Sequence, residues 1–149
     1  MSDPDTNEPS NSFEEFSIHP DIVRGMVEHG YDHLLQVQAA CIQPIRDGQN
    51  VSLRSRTGSG KTAAFAIPLL ERLDPDRKEP QVLVLAPTRE LAGQIATEVN
   101  AVGKYRGLKA LPIYGGAPIA PQIRALKEGV HVVAGTPGRL LDLAGQGVL

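Results

Sequence analysis

The run Ser55-Arg56-Thr57-Gly58-Ser59-Gly60-Lys61-Thr62 leads a glycine-containing, hydroxyl-rich loop into a Lys-Thr pair at the start of an apolar, helix-like segment. Glycines let main-chain N–H groups turn toward phosphate oxygens, and a helix N-terminus adds its partial positive charge. Lys61 is placed to reach β- and γ-phosphates and the Thr62 hydroxyl to ligate Mg²⁺, which makes these two the candidate catalytic residues. Ser55 stands where the phosphate-binding pattern commonly opens on glycine. The competing reading is a flexible Gly/Ser turn ahead of a helix. A strand-like stretch over 50–54 before the loop and the helical run that follows it favour a nucleotide site.

The elements that must hold this loop can be read from the apolar pattern. Residues 1–12 contain no large apolar side chain apart from Met1, and a disordered acidic tail is expected there. Phe13 and Phe16 are the first anchors. Helices are expected over 20–29, with Pro20 in the first turn and Gly30 as the stop, and over 36–46, where Pro44 falls in the last turns. Strands are then expected over 50–54, 81–86, 108–114 and 130–134, each followed by a helix, over 61–73, 90–105, 120–127 and 138–144. Four strand-then-helix units in a row predict a parallel sheet with helical crossovers. The unbroken run Val82-Leu83-Val84-Leu85 is what a strand buried on both faces shows.

In open α/β sheets ligands collect beyond the carboxyl ends of the strands. Here those ends carry the Ser55–Thr62 loop, Pro87-Thr88-Arg89-Glu90, Gly115-Gly116 and Thr136-Pro137-Gly138-Arg139. Small or hydroxyl residues, helix starts and basic side chains suit phosphates. Taken singly, each cluster is also ordinary turn chemistry, with Thr as a cap and Pro in a first turn.

Composition sets wide bounds. The chain has 149 residues, long enough for one domain with a real core, and its 41% hydrophobic and 21% charged residues are ordinary for a soluble protein. One cysteine, Cys41, excludes an internal disulfide and sits among Ala39, Ala40 and Ile42, as a packed residue does and a nucleophile does not. With no signal-peptide or membrane-helix pattern, a cytoplasmic setting is expected. The net charge of −2 is unevenly spread: residues 1–35 hold eight acids and one base, whereas 36–149 hold 14 bases and nine acids. A mildly basic body permits a phosphate-binding face, although dispersed Lys and Arg also simply solvate a surface.

From Phe13 to Leu149 the chain resembles the N-terminal RecA-like domain of a DEAD-box RNA helicase. Pro87-Thr88-Arg89-Glu90-Leu91-Ala92, followed by Gln94, resembles that family's PTRELA motif, and Gly115-Gly116 and Thr136-Pro137-Gly138-Arg139 its double-glycine and TPGR motifs. Gly30-Tyr31 and Val37-Gln38 are similar to its Q motif, with Phe13 as the isolated upstream aromatic; Leu34 stands where the family has proline. The resemblance implies an α/β, RecA-like fold with a parallel sheet and flanking helices, incomplete at its C-terminal side. The expected division is a tail at 1–12, a Q-motif-like region at 13–41 and a partial RecA-like ATP-binding domain at 42–149. It further implies ATP and Mg²⁺ as cofactors, bound by the loop residues Ser55, Arg56, Thr57, Gly58, Ser59, Gly60, Lys61 and Thr62, with Thr62 holding the metal through Mg-ATP. Gln38 would read adenine and Phe13 would stack on it; the plainer readings are a surface amide and a packing anchor. Pro87, Thr88, Arg89, Gly115, Gly116, Thr136, Pro137, Gly138 and Arg139 would hold the backbone of single-stranded or short duplex RNA without reading bases.

The same resemblance marks what these residues do not include. No Asp-Glu-Ala-Asp stretch, Ser-Ala-Thr motif or second RecA-like domain with its arginine fingers occurs in the 149 residues. The expectation is an N-terminal fragment of an ATP-dependent RNA helicase that binds ATP with negligible turnover alone, and whose first strand lacks its usual partners, leaving the isolated chain marginal or aggregation-prone. The alternative is a non-hydrolysing ATP- and RNA-binding module in its own right.

Overall fold

A computed structural model describes residues 11–56, 58 and 60–149, so the expected tail, except for its last two residues, and the loop positions Thr57 and Ser59 lie outside the described residues. Those last two are held: the Asn11 carbonyl accepts from the Leu34 N–H at 2.8 Å, and Ser12 Oγ accepts from the Glu15 N–H at 3.2 Å.

Three parallel strands, β1 (Val82–Leu85), β2 (Ala110–Ile113) and β3 (Val132–Gly135), pair in the order β1-β3-β2. Among the described residues six helices stand around them: α1 (Pro20–Glu28), α2 (Gln36–Arg46), α3 (Lys61–Arg72), α4 (Arg89–Gly103), α5 (Ile119–Glu128) and α6 (Pro137–Gly145). A 3₁₀ turn, Lys104–Arg106, follows α4. Side chains of the central strand alternate between the two faces. Val132 and Ala134 join a core built with α1 to α4, while Val133 joins a smaller one with Leu126 of α5 and Leu140 and Leu143 of α6. The fold is therefore helices packed on both faces of a small parallel sheet, as the strand–helix alternation predicts.

The fourth expected strand is the main departure. Residues 50–54 pair with no strand, and Val51 is 41% exposed. Alternating apolar side chains propose a strand, but a ladder needs a neighbour with free N–H and C=O groups. That this segment would lack partners agrees with what the described residues show. Strand β1 departs too: Val82 and Val84 pack on the larger core, whereas Leu83 and Leu85 are 56% and 63% exposed. It is covered on one face, not two.

Polar ties fix the helices relative to one another. Arg46 of α2 makes a paired contact with Glu71 of α3, Nε to Oε2 and Nη2 to Oε1, both at 2.9 Å, and its Nη1 donates to the Phe16 carbonyl at 2.7 Å. Glu71 Oε1 also accepts from the His19 N–H at 3.0 Å. Buried His131 accepts the Lys109 N–H on Nδ1 at 3.0 Å and lies 2.9 Å by Nε2 from the Pro75 carbonyl, which assigns the proton to Nε2. Among the described residues no helix is long and apolar enough to cross a membrane.

Cys41 is packed in α2 at 3% exposure, and burial pushes its thiol above its ordinary range. Less thiolate and less access both slow alkylation. The folded chain is expected to resist iodoacetamide at neutral pH while the urea-unfolded chain takes up one adduct, read by intact mass; rapid labelling of the folded chain would contradict this packing.

Candidate functional site

The phosphate end of the site is a sharp turn closed onto a helix. Gly58 and Gly60 have φ of +77° and +83°, a backbone region that favours glycine, and Gly60 is the residue from which α3 starts. A Cβ on Gly60 would sit 2.7 Å from Gln38 Nε2 and 2.8 Å from Leu35 Cδ1, so close approach demands glycine here as well. Lys61 Nζ donates to the Ser55 carbonyl at 2.6 Å, which brings its ammonium back across the loop. Arg56 is exposed beside it.

A cavity of about 870 Å³ opens on this turn. Among the described residues it is lined by Gly58, Gly60, Lys61 and Thr62, by Tyr31, and by one side of α4, where Gln94 and Glu98 face in. The Thr62 hydroxyl is the oxygen donor that a metal carried by phosphates would meet. No group of three or more His, Cys, Asp or Glu side chains that could hold a metal ion occurs among the described residues.

The base end departs from expectation in two ways. Phe13 is 5% exposed and belongs to the larger core, and the aromatic ring on the cavity wall is Tyr31. Phe13 thus packs in the core, in a segment held by Arg46 of α2 at the Phe16 carbonyl and by Glu71 of α3 at the His19 N–H. Gln38, far from a surface amide, is fully buried. Its Oε1 accepts the Leu35 N–H at 2.9 Å and its Nε2 donates to the Gly60 carbonyl at 3.4 Å. Leu35 has no oxygen with which to cap α2, so the Gln38 side chain takes up the orphan N–H at the helix start and ties α2 to the phosphate loop. Leu34, in the place of the family's proline, is fully buried in the core.

Glu98 and His29 went unnoticed in the sequence, where each is one polar residue among many. His29 Nε2 lies 3.1 Å from Glu98 Oε2. Burial first, and then the Glu98 carboxylate, raise the Tyr31 hydroxyl above its ordinary range, so it remains a neutral donor.

The other three clusters line one edge. Register places Leu85, Gly135 and Ile113 side by side at the ends of β1, β3 and β2, so Pro87–Arg89, Thr136–Arg139 and Gly115-Gly116 follow at one level. The Ser55–Thr62 loop is not in this register, since 50–54 is unpaired; it meets the edge through α4, whose Leu91 and Gln94 line its cavity. Thr88 Oγ1 caps α4 by accepting from the Leu91 N–H at 3.2 Å, but Thr136 makes no such bond at the start of α6. The Arg89 guanidinium, 55% exposed, lies 5.0 Å from the centre of the Tyr114 ring and spans from β1 to the double glycine. Arg139 behaves differently. Its Nη2 donates to the Ala117 carbonyl at 2.9 Å and its Nη1 to Gln122 Oε1 at 3.2 Å, while Gln122 Nε2 donates to the Tyr114 carbonyl at 3.0 Å. Buried Gln122, which the sequence did not single out, is thus the brace of the double-glycine turn.

A family model described as DEAD/DEAH box helicase matches residues 35–148. The chain is 45% identical over 139 residues to the ATP-dependent RNA helicase DeaD of Escherichia coli K12, covering 93% of this chain and 22% of that protein. It is 46% identical over 132 residues to DeaD of Mycobacterium tuberculosis H37Rv, covering 88% and 23%. The chain therefore spans less than a quarter of the length of these curated relatives. Among solved structures, a DEAD box protein from Methanococcus jannaschii superposes with a TM-score of 0.84 at 39% identity, over 93% of this chain and 38% of that one. Saccharomyces cerevisiae Dbp5, solved with RNA and ADP BeF3, gives 0.81 at 28% identity over 94% and 35%. With strand-end motifs, sheet and family match in agreement, the chain belongs to the DEAD/DEAH box helicase family.

Proposed function

We propose that this chain binds Mg-ATP in the cavity at Lys61 and holds the backbone of single-stranded RNA along the strand ends, as the N-terminal part of a cytoplasmic ATP-dependent RNA helicase. The observation that carries this reading is the cavity itself, which joins a glycine-turned phosphate loop to an aromatic wall. Residues 13–41 would form its base side and 42–149 its phosphate and RNA side. Lys61 and the loop N–H groups neutralise phosphate charge, and Thr62 offers its hydroxyl to the metal, which when bound screens the β- and γ-oxygens. Tyr31, in place of Phe13, stacks on the base, while Gln38, buried against Leu35 and the Gly60 carbonyl, holds the phosphate loop in place behind it.

RNA is held differently by the two arginines. Arg89 is exposed and supplies charge directly, whereas Arg139 first shapes the turn whose glycines admit the strand. Binding of a fluorescein-labelled oligo-U should weaken steeply with salt. Arg89→Ala should flatten the slope of log affinity against log salt by about 0.7, the loss of one single-strand phosphate contact. Wild-type binding that is insensitive to salt, or an unchanged slope in Arg89→Ala, would remove the support for a backbone contact here.

A further inference from the structure

We propose that Glu98 is a positioning residue for the base end of the cavity, tying the His29-Gly30-Tyr31 turn to α4 so that the Tyr31 ring is held as a wall. This rests on the nucleotide reading above and adds a residue outside the family motifs that carry it. The turn needs an anchor. It follows the end of α1, and Gly30 at its centre has φ +101° with open space around its Cα, so the backbone itself does little to fix the ring beyond it. Three main-chain bonds to carbonyls hold the turn at its root, His29 N–H to Gly25, Gly30 N–H to Val27 and Tyr31 N–H to Met26. Beyond the backbone, the turn is held through one carboxylate, which meets the His29 ring beside Tyr31. His29 meets Glu98 at 3.1 Å, and its ring centre is 6.1 Å from that of Tyr31.

Glu98 is well placed for this work. It lies two and a half turns into α4, one of the longest and best-packed helices, on the side that lines the cavity. Its side chain is 21% exposed, so the carboxylate is screened less than a surface group would be. A partly free Tyr31 would have to be immobilised each time a base arrived, whereas a tethered one is already in place. The effect should therefore appear at the base end alone and leave the phosphate end untouched.

Two probes separate those ends: mant-ATP, which needs both, and inorganic tripolyphosphate, which competes for the loop only. Glu98→Ala should weaken mant-ATP roughly five- to tenfold with tripolyphosphate competition unchanged. Glu98→Gln keeps an acceptor for His29 and should stay within about twofold of wild type. His29→Ala removes the ring that Glu98 holds; it should show the same selective loss, and the Glu98→Ala/His29→Ala pair should be no weaker than the worse single variant. The proposal is overturned if Glu98→Ala binds mant-ATP as wild type does, if both probes weaken together, or if Glu98→Gln is as weak as Glu98→Ala. Should Glu98→Ala fail to give a cooperative thermal transition, His29→Ala decides, and wild-type affinity there overturns it. A wild-type chain that binds neither probe would instead defeat the nucleotide reading.

Discussion

Lys61→Ala is expected to lower mant-ATP affinity about a hundredfold while moving the thermal midpoint little. The ammonium is drawn back over the loop by the Ser55 carbonyl at 2.6 Å, at the mouth of the cavity where phosphate would sit. A hydrogen bond to a charged group contributes about 1.5–3 kcal/mol, and an ammonium between two phosphate groups makes more than one. A loss of about 3 kcal/mol corresponds to a factor of about a hundred. What remains is smaller: the start of α3 contributes only about 0.3–1 kcal/mol through its dipole, and the loop N–H groups act only if the loop keeps its shape. Stability should change far less, because the single bond lost is a partly buried one within the loop itself. A titration showing Lys61→Ala within a few-fold of wild type would mean that nucleotide, if it binds, binds elsewhere.

Gly25→Ala should lower the thermal midpoint by roughly 10 °C, from a destabilisation of about 3 kcal/mol. Intrinsic preference argues the opposite sign, since alanine in a helix interior is favoured over glycine by about 1 kcal/mol. Packing overrides it. A Cβ on Gly25 would lie 2.4 Å from the Val102 carbonyl oxygen, 2.8 Å from that of Ala101 and 2.9 Å from the Val102 carbonyl carbon, all of them backbone atoms. Neither helix can yield by turning a side chain, so α1 must back away from α4. Ile22 and Met26, both fully buried, would lose their contacts with it. A melt followed by circular dichroism checks this, and a variant that melts at or above wild type would show that propensity has won.

Helices were legible from the sequence because each carries its own boundary signals. Pro20 and Gly30 bracket α1, Lys61 begins α3 after a glycine loop, and Thr88 caps α4. Strands were less so, because a strand is a relation between segments. Residues 50–54 have the alternation but no neighbour, and Leu83 and Leu85 look buried in sequence yet face outward. The site divides in the same way. Lys61, Thr62 and the strand-end arginines stand in local patterns, whereas the choice of Tyr31 over Phe13 depends on which ring the tertiary fold turns to the cavity. Glu98 and Gln122 could not be picked out at all, since their partners are 69 and 17 or fewer residues away and meet them only in the folded chain.

Helix α4 gathers several of these features onto one body. Arg89 stands at its first residue beside the strand-end clusters, Glu98 faces the cavity that opens on Lys61, and its last turns bear on Gly25. The nine residue steps from Arg89 to Glu98 span roughly 13 Å of unbroken helix, short enough to move as a rigid rod. Two ligands that each grip one end of such a rod do not bind independently: any tilt that one of them favours is imposed on the other. On the proposed function, whatever factor ATP applies to the affinity for RNA, RNA would return to the affinity for ATP.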